Sequence, residues 1–131
     1  MEKNFYFIFP EEDFTVDSIL SRASGLVERK GINILVIDPY NRLEHKIPVG
    51  MSETHYISSF FDKIGNFAKR KNVMVILVAH PTKMKKENRK YEVPNLYDIS
   101  GSANFYNKTD FGLTVYRDMT EEVIKVYIQK V

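Results

Sequence analysis

The sequence has no cysteine and no tryptophan, and no apolar run in it approaches the length of a membrane span. Without cysteine the chain can form neither a disulfide scaffold nor a thiolate zinc site, which fits a reducing compartment. The opening residues MEKNFYFIFPEED place acids directly after a short apolar run, so this segment is not a secretory signal peptide. These absences exclude a disulfide scaffold and a membrane-spanning apolar helix within this sequence.

The composition is that of one ordinary globular domain spanning residues 1–131. Hydrophobic residues make up 44% of the chain, and nine Phe and eight Tyr argue against disorder. The net charge of +2 is uninformative, but its distribution is uneven. Five Lys or Arg and one Glu fall within residues 82–90, which we call the basic loop.

Apolar runs alternate with patterns of helical period. In chain order they predict a strand at 4–9, a helix at 16–30 capped by Thr15 and ended by Gly31, a strand at 34–37, a helix from Ser52 to about residue 71, a strand at 73–80, a long loop at 81–95, and two strands at 111–117 and 123–130. This order indicates a three-layer α/β fold with a mostly parallel sheet and a C-terminal antiparallel hairpin.

Two polar residues directly follow predicted strands. Asp38 comes after ILVI and His80 after VMVILVA. Ligands of open parallel sheets bind at the carboxyl ends of the strands, so both residues are candidates for a site. In the alternative interpretation, Asp38 begins a turn and His80 marks a strand exit. His45 and His55 have no evident partner and are interpreted as surface residues.

Three motifs resemble those of RecA-like ATPases, in particular the ring-shaped replicative DNA helicases. ILVIDPYN resembles their Walker B strand, with Asp38 and then Asn41 where most members have Gln. VMVILVAHPTK resembles the next strand, which ends in a phosphate-sensing histidine. DISGSANFYNKTDFGLTVYR resembles a later motif, matched by Asp98, Gly101, Ser102 and Asp110. The resemblance covers roughly residues 4–131.

The resemblance implies a catalytic set of Asp38, Asn41 and His80. Asp38 would orient the water shell of Mg²⁺, and His80 would sense the γ-phosphate of ATP. Asn41 would have a role at the γ-phosphate or in coupling ATP hydrolysis to DNA. Lys130, with Val131, fits a pair that precedes an arginine finger in the family and would lie near the nucleotide. ATP and Mg²⁺ are the cofactors expected of the intact protein, and none is expected for this chain alone.

The resemblance also implies a single-stranded DNA partner. In the family the loop equivalent to the basic loop faces a central channel, and Lys83, Lys85 and Lys86 match its lysines by position. Gly101, Ser102 and Asn104 could add donors to phosphate. The alternative is a solvated charged surface. The resemblance further implies assembly into a hexameric ring and no membrane contact. The expected location is the cytoplasm, for a bacterial or phage-encoded protein, with an organelle as the alternative.

The sequence contains no GxxxxGK[ST] motif, and therefore no phosphate-cradling loop with its lysine. We expect a fragment of a motor domain that lacks its Walker A strand and does not hydrolyse ATP alone. The predicted strands at 73–79 and 111–117 would then either pair directly, which we favour, or accept a strand from a second copy. The alternatives are a non-catalytic α/β nucleic-acid-binding or assembly module, and a recombinase or repair relative of RecA.

Overall fold

A computed structural model describes residues 4–87, 90–100 and 102–131 of the chain. Its helices are α1 (Val16–Lys30), α2 (Glu53–Lys71) and the single turn α3 (Asn104–Asn107), with 3₁₀ turns at Tyr40–Arg42 and Leu96–Asp98. Its strands are β1 (Ile34–Ile37), β2 (Met74–Leu77), β3 (Lys86–Glu87), β4 (Lys90–Tyr91), β5 (Gly112–Asp118) and β6 (Val123–Lys130).

Local capping chemistry sets the ends of both long helices. The Thr15 hydroxyl accepts a hydrogen bond from the Ser18 amide at 3.3 Å, and Gly31 ends α1 in the left-handed region at φ 65°. Ser52 caps α2 in the same way, by accepting a bond from the His55 amide at 3.2 Å. Both predicted helices are confirmed, because these signals are local in the sequence.

The core lies between the two long helices and one face of a parallel pair of strands. β1 pairs with β2 in parallel, and Leu35 and Ile37 of β1 face inward. They pack in one cluster with these buried residues: Val16, Ala23, Tyr40, Ile57, Phe60, Ile64, Phe67, Val73 and Phe105. The opposite face of the pair presents exposed apolar side chains, namely Ile34, Val36, Met74 and Ile76.

The C-terminal strands form the antiparallel hairpin that the sequence predicts. Along β5 buried and exposed residues alternate strictly, so the strand is covered on one face only. Arg117 lies opposite Ile124 on the uncovered face of β5 and β6. The rest of this face is apolar and consists of Leu113, Val115, Ile124, Val126 and Ile128. We call these five residues the open hairpin face.

The predicted mostly parallel, three-layer sheet is not seen among the described residues. They form three separate two-stranded sheets, β1–β2, β3–β4 and β5–β6. The favoured direct pairing of the strands near 73–79 and 111–117 is wrong, since β2 and β5 belong to different sheets and no described segment lies hydrogen-bonded between them. The two long helices cover one face of β1–β2, which leaves its other face without a layer.

Three further predictions need correction. Residues 4–9 are not a strand, because no described strand pairs with them, and Phe5, Phe7 and Phe9 are largely exposed. The strand predicted at 73–80 ends at Leu77, although the Val78 amide still bonds to Ile37. The loop predicted at 81–95 contains a two-residue antiparallel ladder, β3–β4. Among the helices described, none is long and apolar enough to cross a membrane.

Candidate functional site

Asp38, Asn41 and His80 lie at one end of the parallel strand pair and form what we call the strand-end site. The pairing of β1 with β2 places the segments after both strands side by side. Backbone bonds continue beyond the strands, from the Val78 amide to the Ile37 carbonyl at 2.9 Å and from the Tyr40 amide to the Val78 carbonyl at 2.7 Å. The structure therefore brings together the two residues that the sequence predicts at strand ends.

Asn41 connects the two segments directly. Its side-chain oxygen accepts a hydrogen bond from the His80 backbone amide at 2.8 Å. Asp38, Asn41 and His80 are all exposed, so the His80 imidazole and the Asp38 carboxylate face solvent at this end of the sheet. Asn41 consequently acts on the position of His80, a contact that the spacing of the motif did not predict.

His45 was interpreted from the sequence as a surface residue, and this was wrong. Its ring is half-buried beneath the strand-end site, and Nε2 donates to the Tyr40 carbonyl at 3.0 Å. Nδ1 lies 2.9 Å from the Tyr56 hydroxyl. Tyr40 itself is buried against Phe60, and burial raises the pKa of its hydroxyl to about 12. The turn that carries Asn41 therefore rests on a packed aromatic cluster.

The basic loop begins two residues after His80 in the chain. Lys83, Lys85 and Lys86 are exposed, and no ion pair joins them to an acid within the described ranges. The Lys86 ammonium lies 5.4 Å from the centre of the Tyr91 ring, across the first rung of the β3–β4 ladder. A row of exposed cations on a short hairpin can contact a phosphate backbone without reading its sequence.

Both ends of the basic loop are tied to the rest of the chain. At its start, the amide and hydroxyl of Thr82 donate to the Asp98 carbonyl at 2.7 and 2.9 Å. At its end, the Lys90 ammonium pairs with the Asp118 carboxylate at 2.8 Å. Asp98 was singled out by its motif, whereas Asp118 was missed because it has no motif and its partner is distant in sequence.

The remaining predicted residues are engaged within the chain. Ser102 is only 4% exposed and accepts a bond from the Asn104 amide, while the Asn104 side chain donates to the Thr54 carbonyl. Lys130 donates to the Tyr106 carbonyl at 2.8 Å and lies over the Tyr106 ring. Gly101 lies outside the described residues. The roles of these residues toward nucleic acid or nucleotide stay predictions.

A multi-ligand metal centre is not formed by the described residues, which contain no group of three or more metal-binding side chains. Asp38 supplies one exposed carboxylate at the strand end. A single carboxylate suits Mg²⁺ that keeps most of its waters and is held mainly by substrate phosphates. The donor set therefore fits an indirect magnesium contact and does not fit a protein-enclosed site.

Comparison with known sequences identifies one family over nearly the whole chain. The model of the DnaB-like helicase C-terminal domain matches residues 1–130. The Twinkle homologue described as chloroplastic/mitochondrial from Arabidopsis thaliana is 40% identical over 122 residues. That match covers 89% of this chain and 17% of the relative, so the chain spans about a sixth of its length.

Comparison with solved structures points to the same architecture. One solved ATPase domain superposes with a TM-score of 0.74 at 24% identity, covering 94% of this chain and 46% of that one. A DnaB-like replicative helicase, solved in a study of its interactions with primase, gives a TM-score of 0.72 at 23% identity. That match covers 94% of this chain and 31% of the helicase. At these identities the likeness shows the fold.

Proposed function

Because this chain belongs to the family of DnaB-like helicase C-terminal domains, we propose that it forms part of the ATP-driven motor of a replicative DNA helicase. The observation that carries the proposal is the strand-end site. Asp38 and His80 follow neighbouring parallel strands, and Asn41 bonds to the His80 backbone. This arrangement holds the Asp38 carboxylate and the His80 imidazole at the carboxyl end of the strand pair, which is where parallel sheets bind ligands.

Asp38 is the residue that would orient the water shell of Mg²⁺ bound to ATP. It is an exposed carboxylate whose backbone is fixed by its place directly after β1. Bound Mg²⁺ would neutralise charge on the phosphates during phosphoryl transfer. The protein's contribution is to position that carboxylate, because catalysis of this reaction depends mainly on positioning and electrostatics.

His80 is proposed as the γ-phosphate sensor, with Asn41 as its support. A histidine can hold a phosphate oxygen by a hydrogen bond and respond when that phosphate leaves. Since Asn41 fixes the His80 amide, a shift at His80 would be passed to the turn after β1. The same backbone continues from His80 into the basic loop two residues later, which offers a short route between nucleotide and nucleic acid.

The basic loop is proposed as the contact to single-stranded DNA. Lys83, Lys85 and Lys86 are exposed and carry three cations within four residues. Such contacts are directed to phosphate, insensitive to base sequence and weakened by salt. Gly101, Ser102 and Asn104 are proposed as additional phosphate donors, and Lys130 as a residue near the nucleotide.

We further propose that the chain is one portion of a larger motor domain that assembles into a hexameric ring. Two apolar strand faces support this, the exposed face of β1–β2 and the open hairpin face. A strand inserted between β2 and β5 would join β1–β2 and β5–β6 into one mostly parallel sheet, which is the central layer expected of this three-layer fold. A cytoplasmic or an organellar location is compatible with this function.

A non-catalytic nucleic-acid-binding or assembly module is the second candidate. It is favoured by the lack of a phosphate-cradling loop in the 131 residues. Without that nest of backbone amides and its lysine, the β- and γ-phosphates have no holder within this sequence. We therefore expect the chain alone to be inactive as an ATPase.

DNA-stimulated ATP hydrolysis by the full-length protein separates the candidates. The motor hypothesis predicts that Asp38→Asn and His80→Ala each lower kcat by about 100-fold or more, the range expected for loss of a transition-state contact. His55→Ala, an exposed histidine at the start of α2, is the matched control and should leave kcat unchanged. A full-length protein without ATPase activity, but with salt-sensitive DNA binding, would favour the module.

A further inference from the structure

Asp118 is the only charged side chain that is buried in the part of the chain described by the structure. Its two carboxylate oxygens have different partners. Oδ1 accepts the Thr120 and Glu121 amides at 3.0 and 3.3 Å, which shapes the turn between β5 and β6. Oδ2 accepts the Lys90 ammonium at 2.8 Å and the Lys125 ammonium at 3.1 Å. One side chain therefore joins the hairpin turn to the end of the basic loop.

The Asp118 contact is the last of three that join β5 to residues 90–94, which comprise the end of the basic loop and the segment after it. The Thr114 hydroxyl donates to the Pro94 carbonyl at 2.9 Å, and the Tyr116 hydroxyl donates to the Tyr91 carbonyl at 2.8 Å. Residues 114, 116 and 118 lie on the buried face of β5, and their partners run in the opposite order, 94, 91 and 90. The segment is thus fastened by side chains, since no backbone ladder joins β4 to β5 among the described residues.

The surroundings of Asp118 stabilise the ionised form of its carboxyl group. The Lys90 and Lys125 ammonium groups and the two turn amides keep the pKa of the Asp118 carboxyl well below its usual range. The hydrogen bond with Asp118 also raises the pKa of Lys90. Because the charge of Lys90 is engaged by Asp118, the phosphate contacts of the loop are assigned to Lys83, Lys85 and Lys86.

We propose that Asp118 is a positioning residue that holds the basic loop, through Lys90, in the conformation that receives the phosphate backbone of single-stranded nucleic acid. The inference rests on the proposed DNA contact of the loop and adds a residue that does not itself touch DNA. A loop fixed at Thr82 and again at Lys90 loses less conformational freedom on binding than a loop fixed at one end. The β5–β6 hairpin thereby preorganises the basic loop without itself contacting DNA.

The test uses Asp118→Asn in the full-length protein, with Asp62→Asn as the matched control. Asp62 pairs with Lys108 at 2.7 Å, whereas Asp118 pairs with both Lys90 and Lys125, and the Asp62 side chain is 56% exposed. Amide hydrogen exchange at residues 83–87 should accelerate about tenfold in Asp118→Asn and not in the control. Affinity for a dye-labelled oligothymidylate should fall about threefold to tenfold, with a shallower salt dependence, although the variant has lost a negative charge.

Two substitutions of Lys90 separate positioning from a general structural role. Lys90→Arg keeps a cation for Asp118 and should retain loop protection, while Lys90→Met keeps the aliphatic stem and should lose it. Exchange in α1 and α2 should be unchanged in both variants. Loss of protection throughout the protein, or equal behaviour of the Arg and Met variants, overturns the proposal. These variants carry the test by themselves if Asp118→Asn does not fold.

Failure of the proposed DNA contact gives a different result. The combined Lys83→Ala, Lys85→Ala and Lys86→Ala variant should weaken oligothymidylate binding for every base sequence and reduce its salt dependence. If that variant binds normally, the loop is not the DNA contact and the proposed function fails with it. If it binds weakly while Asp118→Asn and Lys90→Met bind normally, the DNA contact stands and the positioning role of Asp118 is wrong.

Discussion

The strand-end site and the basic loop are both candidate functional regions, but different interactions hold them in place. The strand-end site continues from two core strands, and its turn rests on Tyr40 and Phe60 inside the hydrophobic cluster. The basic loop is fastened by hydrogen bonds and one ion pair to Asp98 and to the buried face of β5. Apolar packing fixes the first region, and polar contacts between distant residues fix the second.

This difference has a consequence for how each region responds to perturbation. Apolar packing is non-directional and is weakened by loss of volume, whereas a polar contact is weakened by loss of a partner or of its charge. The position of the strand-end turn should therefore depend mainly on the volume of the core side chains beneath it. The position of the basic loop should depend on its ion pair with Asp118 and should respond to acid.

The largest effect is expected from Phe60→Ala. Phe60 is 1% exposed and packs edge-on against Tyr40, so the substitution leaves a cavity beneath the strand-end site. We expect a loss of about 3–5 kcal/mol in the free energy of unfolding, measured by urea denaturation of the chain. Phe111→Ala removes the same ring from a position that is 70% exposed and should cost less than about 1 kcal/mol. Equal losses would contradict the location of the core.

Acid should produce the next largest effect, and it should act on the loop. The pKa of Asp118 is lowered in the folded state, mainly by its hydrogen bond with Lys90, so its stabilising contribution is complete above the ordinary carboxyl pKa of about 3.9. That contribution is lost progressively as the pH falls below this value toward the lowered folded-state pKa. Thermal unfolding of the wild type and of Asp118→Asn should therefore differ at pH 7 and converge in acid.

A constant difference between these two proteins from pH 7 to the acid limit would show that the charge of Asp118 is unimportant. Asp62→Asn is again the control. Its exposed ion pair with Lys108 should contribute about 0–1 kcal/mol at neutral pH.

Replacement of His45 should have an intermediate effect. His45→Ala removes the donor to the Tyr40 carbonyl and the ring that lies 4.3 Å from the Tyr40 ring. We expect a loss of about 2 kcal/mol in unfolding free energy, from one hydrogen bond and an aromatic contact. His55→Ala, at an exposed position, should lie within about 0.5 kcal/mol of the wild type. A larger loss of unfolding free energy in His55→Ala than in His45→Ala would rule out the packed turn.

What the sequence could predict follows the same division. Both long helices, β1 and the hairpin β5–β6 were predicted because capping residues and apolar periodicity are local signals. The family resemblance, based on three short motifs, is confirmed by the match over residues 1–130. Asp38 and His80 were placed correctly at the same end of the strand pair, since the carboxyl ends of parallel strands share one edge of a sheet. Only Asp38 follows its strand directly, because β2 already ends at Leu77.

The rest depends on contacts between residues far apart in the chain, which leave no periodic signal. His45 bonds to Tyr56 eleven residues away, and Asp118 bonds to Lys90 across 28 residues. The predicted strand at 4–9 failed for a related reason. A continuous run of aromatic and β-branched residues favours a strand locally, but a strand forms only where a partner supplies its backbone hydrogen bonds.

Asn41→Ala should have a smaller and local effect. The substitution removes the acceptor of the His80 amide, and we expect a loss of about 1 kcal/mol. Hydrogen exchange at the His80 amide should accelerate, while the amides of α2 stay protected. Asn33→Ala, at an exposed position before β1, is the control and should change neither quantity. Unchanged exchange at His80 would show that Asn41 does not support the sensor segment.

The smallest effect is expected at the open hairpin face, and it tests whether that face belongs to an interior. Val115 is 71% exposed and Val73 is 5% exposed, so Val→Thr, which keeps the shape of the side chain, gives a matched pair. In the isolated chain Val73→Thr should cost about 1–3 kcal/mol through burial of an unpaired hydroxyl, and Val115→Thr should fall within about 0.5 kcal/mol of the wild type. Val115→Thr should also reduce concentration-dependent association measured by analytical ultracentrifugation, because exposed apolar strand faces recruit partners.

In the full-length protein the motor hypothesis predicts that Val73→Thr and Val115→Thr lose similar amounts of unfolding free energy, since a further layer then covers Val115. If Val115→Thr stays neutral there, the face is a true surface and the proposed larger domain loses its main physical support.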